Sequence, residues 1–129
     1  MISVDTNVLV RILIDDPTQP EQVSAARAFA KKAKKLFVTQ LVQIETVWVL
    51  ESAYHIAKED ILKILQHLYE NDAFVSQHES QLIAALQLYR ENNCDFSDCL
   101  IFVESKQEDC SVVTFDKKFA RISGVKLLD

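Results

Sequence analysis

The sequence predicts an α/β fold, with short strands alternating with helices to give a central, mainly parallel sheet with helices on both faces. Three observations carry this. Brief apolar runs such as Leu36-Phe37-Val38 and Val112-Val113-Thr114 alternate with longer segments of helical periodicity. A single glycine and two prolines leave little material for hairpins or long loops. Two of the strand-like runs, Ile2-Ser3-Val4 and Val112 to Phe115, lead directly into aspartates, Asp5 and Asp116. In open parallel sheets the ligand crevice lies outside the carboxyl ends of the strands, where these acids fall.

The elements follow in order. A first strand is expected over Ile2 to Val4, then a short helix from about Asn7 to Ile14, halted by Asp15-Asp16-Pro17. Pro20 suits the first turn of a second helix reaching about Lys35. Leu36 to Val38 reads as a strand, and Gln40 to about Tyr54 as a helix with an unusually apolar surface. Lys58 to Glu70 carries Ile61, Leu62, Leu65 and Leu68 at helical spacing. Ala73 to Val75 is the next strand, followed by helices over Glu79 to Asn92 and Phe96 to Gln107. A strand at Val112 to Phe115, a short helix at Lys117 to Arg121 and an edge strand at Val125 to Leu127 complete the chain.

At 129 residues the chain is expected to form one domain, residues 1–129. A net charge of −5 argues against holding nucleic acid by general electrostatic attraction. It remains compatible with a nuclease that recruits phosphate through bound cations. Cys94, Cys99 and Cys110 form neither a CxxC pair nor an even disulfide set and read as reduced thiols. With the Asp5 strand so close to Met1 no signal peptide is expected, and no apolar run approaches the ~20 residues that span a bilayer. A soluble, cytoplasmic protein without membrane contact is expected.

Four acids stand in unusual company. Glu45 has Leu41, Val42, Trp48 and Val49 at its helical spacings, and Asp98 has Ile101 and Phe102. Glutamate is rarely buried without a partner. Each acid also has a structural alternative. Glu45 fits a boundary position with its stem packed, while Asp5, Asp98 and Asp116 fit helix-capping or first-turn positions. Capping is the better account of Asp95. What these alternatives explain poorly is the set of Asp5, Glu45, Asp98 and Asp116 together. Two bare carboxylates about 4 Å apart repel by about 4 kcal/mol at an effective dielectric near 20. Their hard oxygens suit Mg²⁺ or Mn²⁺, which completes its shell with water and substrate phosphate.

Four segments, in this order and spacing, resemble the PIN domain and specifically the VapC-type ribonuclease toxins of toxin-antitoxin pairs. They are Val4-Asp5-Thr6-Asn7-Val8-Leu9-Val10-Arg11, Ile44-Glu45-Thr46-Val47-Trp48-Val49-Leu50, Asp95-Phe96-Ser97-Asp98-Cys99-Leu100-Ile101 and Val113-Thr114-Phe115-Asp116-Lys117-Lys118-Phe119. The resemblance covers nearly the whole chain. It implies a three-layer α/β/α fold with four to five short strands and Mg²⁺-dependent hydrolysis of RNA, Mn²⁺ substituting. Asp5, Glu45, Asp98 and Asp116 carry over as the catalytic and metal-binding acids, with Asn7 and Thr114 orienting them. A homodimer and inhibition by a cognate antitoxin are implied as well. Arg11, Lys117 and Lys118 are candidates for contacts to substrate phosphates, with solvated surface charge as their alternative. The chain departs from the family at Asp109-Cys110, where a glycine usually precedes the last strand.

Competing classes fit less well. A phosphoacceptor receiver domain needs adjacent acids after its first strand, and Asp5-Thr6-Asn7 lacks the doublet. A haloacid-dehalogenase-type phosphatase needs an aspartate where Asn7 stands. An antitoxin-free PIN nuclease of RNA processing and a non-catalytic PIN-fold interaction protein are the remaining alternatives.

Overall fold

The computed structural model describes residues 1–129, which divide into two compact units, Met1–Gln77 and His78–Asp129. The first contains β1 (Ile2–Ser3), α1 (Thr6–Leu13), α2 (Pro20–Ala33), β2 (Leu36–Val38), α3 (Gln40–Ser52), α4 (Lys58–Glu70) and β3 (Phe74–Ser76). The second contains α5 (Glu79–Glu91), α6 (Phe96–Gln107), β4 (Val112–Thr114), a 3-10 turn (Phe119–Arg121) and β5 (Val125–Leu127).

In the first unit the strands form a parallel ladder in the order β1-β2-β3, with Ile2 opposite Leu36 and Leu36 opposite Phe74. Parallel neighbours require crossovers, and each is made by a helix pair: α1 and α2, then α3 and α4. Helix starts follow local chemistry. Asp5 caps α1 by accepting from Val8 N at 3.0 Å, Pro20 opens α2, and Thr39 caps α3 by accepting from Val42 N at 3.2 Å. Leu9, Leu36, Val38, Leu50, Ile61, Leu65 and Leu68 are fully buried and form much of this unit's core.

One polar network fastens the ends of α1 and α3. Arg11 Nη1 donates to Tyr54 Oη at 2.7 Å, and Tyr54 donates to Asp16 Oδ2 at 2.7 Å. Arg11 Nε donates to Gln22 Oε1 on α2 at 3.1 Å. Asp16 Oδ1 accepts from both the hydroxyl and the backbone N–H of Thr18, at 2.6 and 2.9 Å. Bonds from the Thr18 hydroxyl, Tyr54 and the Thr18 backbone, with the nearby Arg11 charge, hold the Asp16 carboxyl at about 2, below its ordinary 3.8. A depressed carboxylate contributes stability above its unfolded-state pKa and loses it as pH falls through the folded value. Thermal unfolding of the parent and Asp16→Asn should therefore differ most above about pH 4 and converge toward about pH 2. A difference independent of pH would contradict this.

In the second unit α5 packs on α6 through Leu82, Ala85, Leu86 and Tyr89 against Phe96, Cys99, Leu100 and Val103. Tyr89 and Phe96 meet edge to face, with ring centroids 6.0 Å apart. β4 and β5 pair in parallel, Val112 opposite Val125, around a small cluster of Val112, Phe119, Ile122 and Val125. Gly124, the only glycine, has φ +98° and lets the chain enter β5 beside the Phe102 ring.

All five strands are short and every pairing is parallel, as expected, with hydrogen bonding arranged as a three-stranded and a two-stranded ladder. The loop departure at Asp109-Cys110 has a direct reading. Asp109 itself adopts φ +54°, a left-handed position that aspartate tolerates better than most residues. No disulfide joins the cysteines. No helix is long and apolar enough to cross a membrane.

Candidate functional site

Asp5 follows β1 and begins α1, so capping and any further role share one carboxylate. Its Oδ1 takes the Val8 N–H, and Oδ2 is not used by the cap. Glu45 is tied to this region through Thr6, whose hydroxyl donates to Glu45 Oε1 at 3.1 Å. Thr6 thus couples the acid on α3 to the segment that carries Asp5. Sequence reasoning missed it, although a hydroxyl next to a strand-end acid was the available signal.

The surroundings of Glu45 correct the sequence-based assignment of its face. α3 buries Val42, Gln43, Thr46, Val47 and Leu50, whereas Glu45 is exposed together with Leu41 at 65% and Trp48 at 67%. The helix is apolar around most of its circumference, so periodicity alone could not tell which side turns inward. Two polar residues occupy the buried side. Gln43 donates to the carbonyl oxygens of Gln77 and Val38 at 2.9 and 3.3 Å, and Gln77 Oε1 accepts from Gln40 N at 2.8 Å. These bonds fix the start of α3, and hence the Glu45 helix, against the ends of β2 and β3.

In the second unit Asp98 lies half-buried in the first turn of α6. Burial is the main cause that raises its carboxyl above the usual range, and the negative charges of Asp95 and Asp116 add to it. Asp95 occupies the N-cap backbone position but makes no side-chain cap bond, so capping does not explain it. Its structural effect is electrostatic, through Asp98.

Asp116 follows β4 and nucleates the 3-10 turn, its Oδ1 accepting from Lys118 N at 2.8 Å and Phe119 N at 3.3 Å. Thr114 Oγ1 accepts from Asp116 N at 3.0 Å and so positions the residue through its backbone. Lys117 and Lys118 are exposed on this turn. Arg11, by contrast, is occupied by Gln22, Tyr54 and Asp16, the last at 3.8 Å. Its principal contacts are therefore internal. Asn7 is exposed in the first turn of α1 and borders a cleft beside Asp5.

The structure thus brings Asp5, Thr6 and Glu45 together in one unit and Asp95, Asp98 and Asp116 in the other. No group of three or more His, Cys, Asp or Glu side chains is arranged to hold a metal ion. The donor chemistry nevertheless fits a hard divalent cation. The available atoms are carboxylate oxygens, and Asp98 is in an environment that disfavours its negative charge.

Residues 2–125 match the sequence profile of the PIN domain, a span containing all four acids. The chain belongs to the PIN domain family. Among curated proteins it is similar to a VapC ribonuclease of Aquifex aeolicus (strain VF5), 29% identical over 120 residues, covering 92% of this chain and 89% of the relative. Among solved structures it is similar to the sarcin-ricin-loop-cleaving toxin VapC20 of Mycobacterium tuberculosis, with 15% identity, TM-score 0.45 and 100% of both chains covered. A toxin-antitoxin complex from Klebsiella pneumoniae matches with 18% identity and TM-score 0.35, covering 96% of this chain and 93% of the other.

Proposed function

We propose that residues 1–129 act as a single PIN domain, a Mg²⁺-dependent endoribonuclease of the VapC type. The observation that carries this reading is the family match over residues 2–125, a span that includes Asp5, Glu45, Asp98 and Asp116. The likeness to the Aquifex VapC ribonuclease over 92% of the chain supports it. The raised Asp98 carboxyl supplies a local physical reason for a cation.

In this proposal Asp5 and Asp98 would hold Mg²⁺, for which Mn²⁺ would substitute, and Asp116 would complete the anionic set. When bound, the ion would supply Lewis-acid polarisation of a phosphoryl oxygen and would lower the pKa of a water molecule. Glu45, held by the Thr6 hydroxyl, orients the attacking water. Asp116 is kept in register by Thr114 and by its bonds to the 3-10 turn. Lys117 and Lys118 neutralise substrate phosphates flanking the cut.

Water attack predicts a 5′-phosphate and a 3′-hydroxyl at each cut. Sequencing the RNA ends with adaptors selective for each chemistry tests this. Cyclic 2′,3′-phosphate ends would instead show attack by the ribose hydroxyl and contradict the assignment. We propose a cytoplasmic homodimer inhibited by a cognate antitoxin, a reading supported by the VapC-type resemblance.

A further inference from the structure

The first unit holds a cleft of about 550 Å³ between α1 and α2, with Asp5 on its wall. This lies within the range of about 300–1,000 Å³ typical of small-ligand sites. Its apolar side is formed by residues including Val8, Ala26 and Phe29, the last 37% exposed. Its polar lining includes two side-chain amides, Asn7 and Gln22. Gln22 spends its Oε1 on Arg11 Nε, which orients the side chain and leaves its NH₂ group as a donor.

We infer that this cleft seats one nucleobase of the RNA substrate next to the cleavage site, with Gln22 and Phe29 as specificity-determining residues. The inference rests on the ribonuclease reading for its choice of ligand. A base has flat apolar faces and a polar edge, matching an aromatic and aliphatic wall interrupted by amides. An aliphatic side chain in the same place would leave the amides without partners. A phosphate there would face the Asp5 carboxylate, and the Arg11 guanidinium that lines the same cleft is already engaged by Gln22, Tyr54 and Asp16. Proteins that read single-stranded RNA commonly combine an aromatic surface with hydrogen bonds to base edges. The shared wall at Asp5 places the recognised base beside the proposed metal ligand, so recognition is coupled to where the cut falls.

The test uses four fluorescein-labelled homopolymeric RNA 12-mers of A, C, G and U. Their affinities for the parent, Phe29→Ala and Gln22→Glu are measured with Ca²⁺ present, and cleavage of a random-sequence RNA library is measured with Mg²⁺. Gln22→Glu retains the acceptor for Arg11 while replacing the amide donor, so it should change which homopolymer binds best and which base borders the cut. Phe29→Ala should weaken the preferred homopolymer about tenfold and raise KM more than it lowers kcat. Unfolding curves matching the parent confirm that the variants fold.

Base-selective binding altered by both variants supports the cleft, even if no protein cuts RNA, in which case the ribonuclease reading falls alone. Cleavage by all three proteins with unchanged base preference overturns the cleft and leaves the ribonuclease standing. Equal affinity for all four polymers, or none for any, overturns the cleft as well.

Discussion

Asp98→Asn is expected to lower RNA cleavage by at least about a hundredfold, a loss typical of removing one electrostatic group from an active site, while raising the melting temperature of the metal-free protein. Both effects follow from removing the Asp98 charge: the first because the proposed metal site loses a carboxylate, the second because the fold no longer carries a disfavoured one. Burial and the charges of Asp95 and Asp116 all disfavour the Asp98 carboxylate, so its pKa lies above the ordinary value. A raised carboxyl binds its proton more tightly in the folded state. It therefore favours folding at low pH and loses that contribution as pH rises through the folded pKa. Asparagine keeps the shape without the charge and should flatten this part of the pH–stability curve. Melting curves from about pH 4 to 8, beside cleavage rates, check both effects. An Asp98→Asn protein less stable than the parent at neutral pH would contradict the electrostatic account.

The largest loss of stability outside the apolar core is expected at Arg11. Arg11→Ala removes donors from Tyr54 and Gln22 and the nearby positive charge from Asp16. The Arg11 side chain is only 15% exposed, so water replaces these partners incompletely. The expected cost is about 2 kcal/mol. Arg11→Lys should recover a minor part, since an ammonium cannot reproduce the guanidinium fork that reaches two acceptors. Chemical denaturation of both variants measures this. A change below about 0.5 kcal/mol for Arg11→Ala would place the residue among ordinary surface positions and reopen its candidacy for phosphate contact.

The sequence carried much of the fold because local chemistry and tertiary pattern agree. The spans expected at Leu36 to Val38, Lys58 to Glu70, Phe96 to Gln107 and Val125 to Leu127 recur unchanged. In each, a clear apolar pattern marks the span. The first helix begins one residue earlier, at Thr6, because Asp5 supplies the cap. The Lys117 to Arg121 helix shortens to a 3-10 turn over Phe119–Arg121, built on the Asp116 carboxylate.

Site features that depend on three-dimensional neighbours were less legible. The orientation of Glu45 is not legible in the sequence because α3 is apolar on nearly every side, while the helix turns Leu41, Glu45 and Trp48 outward. Arg11 looked like a surface cation because its partners Gln22 and Tyr54 are distant in sequence. Thr6 and Gln43 carry no distinguishing sequence signal, since hydroxyl and amide groups are common and their importance lies in particular bonds. Asp95 looked like a cap by spacing, yet its carboxylate makes no cap bond.

The most direct test of the central claim is a time course of cleavage on a total small-RNA pool by purified, antitoxin-free protein. Parent protein is assayed in Mg²⁺ and in EDTA, with Asp5→Asn in Mg²⁺ alongside. Discrete products from the parent in Mg²⁺ alone are the predicted result. Equal cleavage in EDTA, or by a folded Asp5→Asn protein, would contradict a metal-dependent ribonuclease built on these acids.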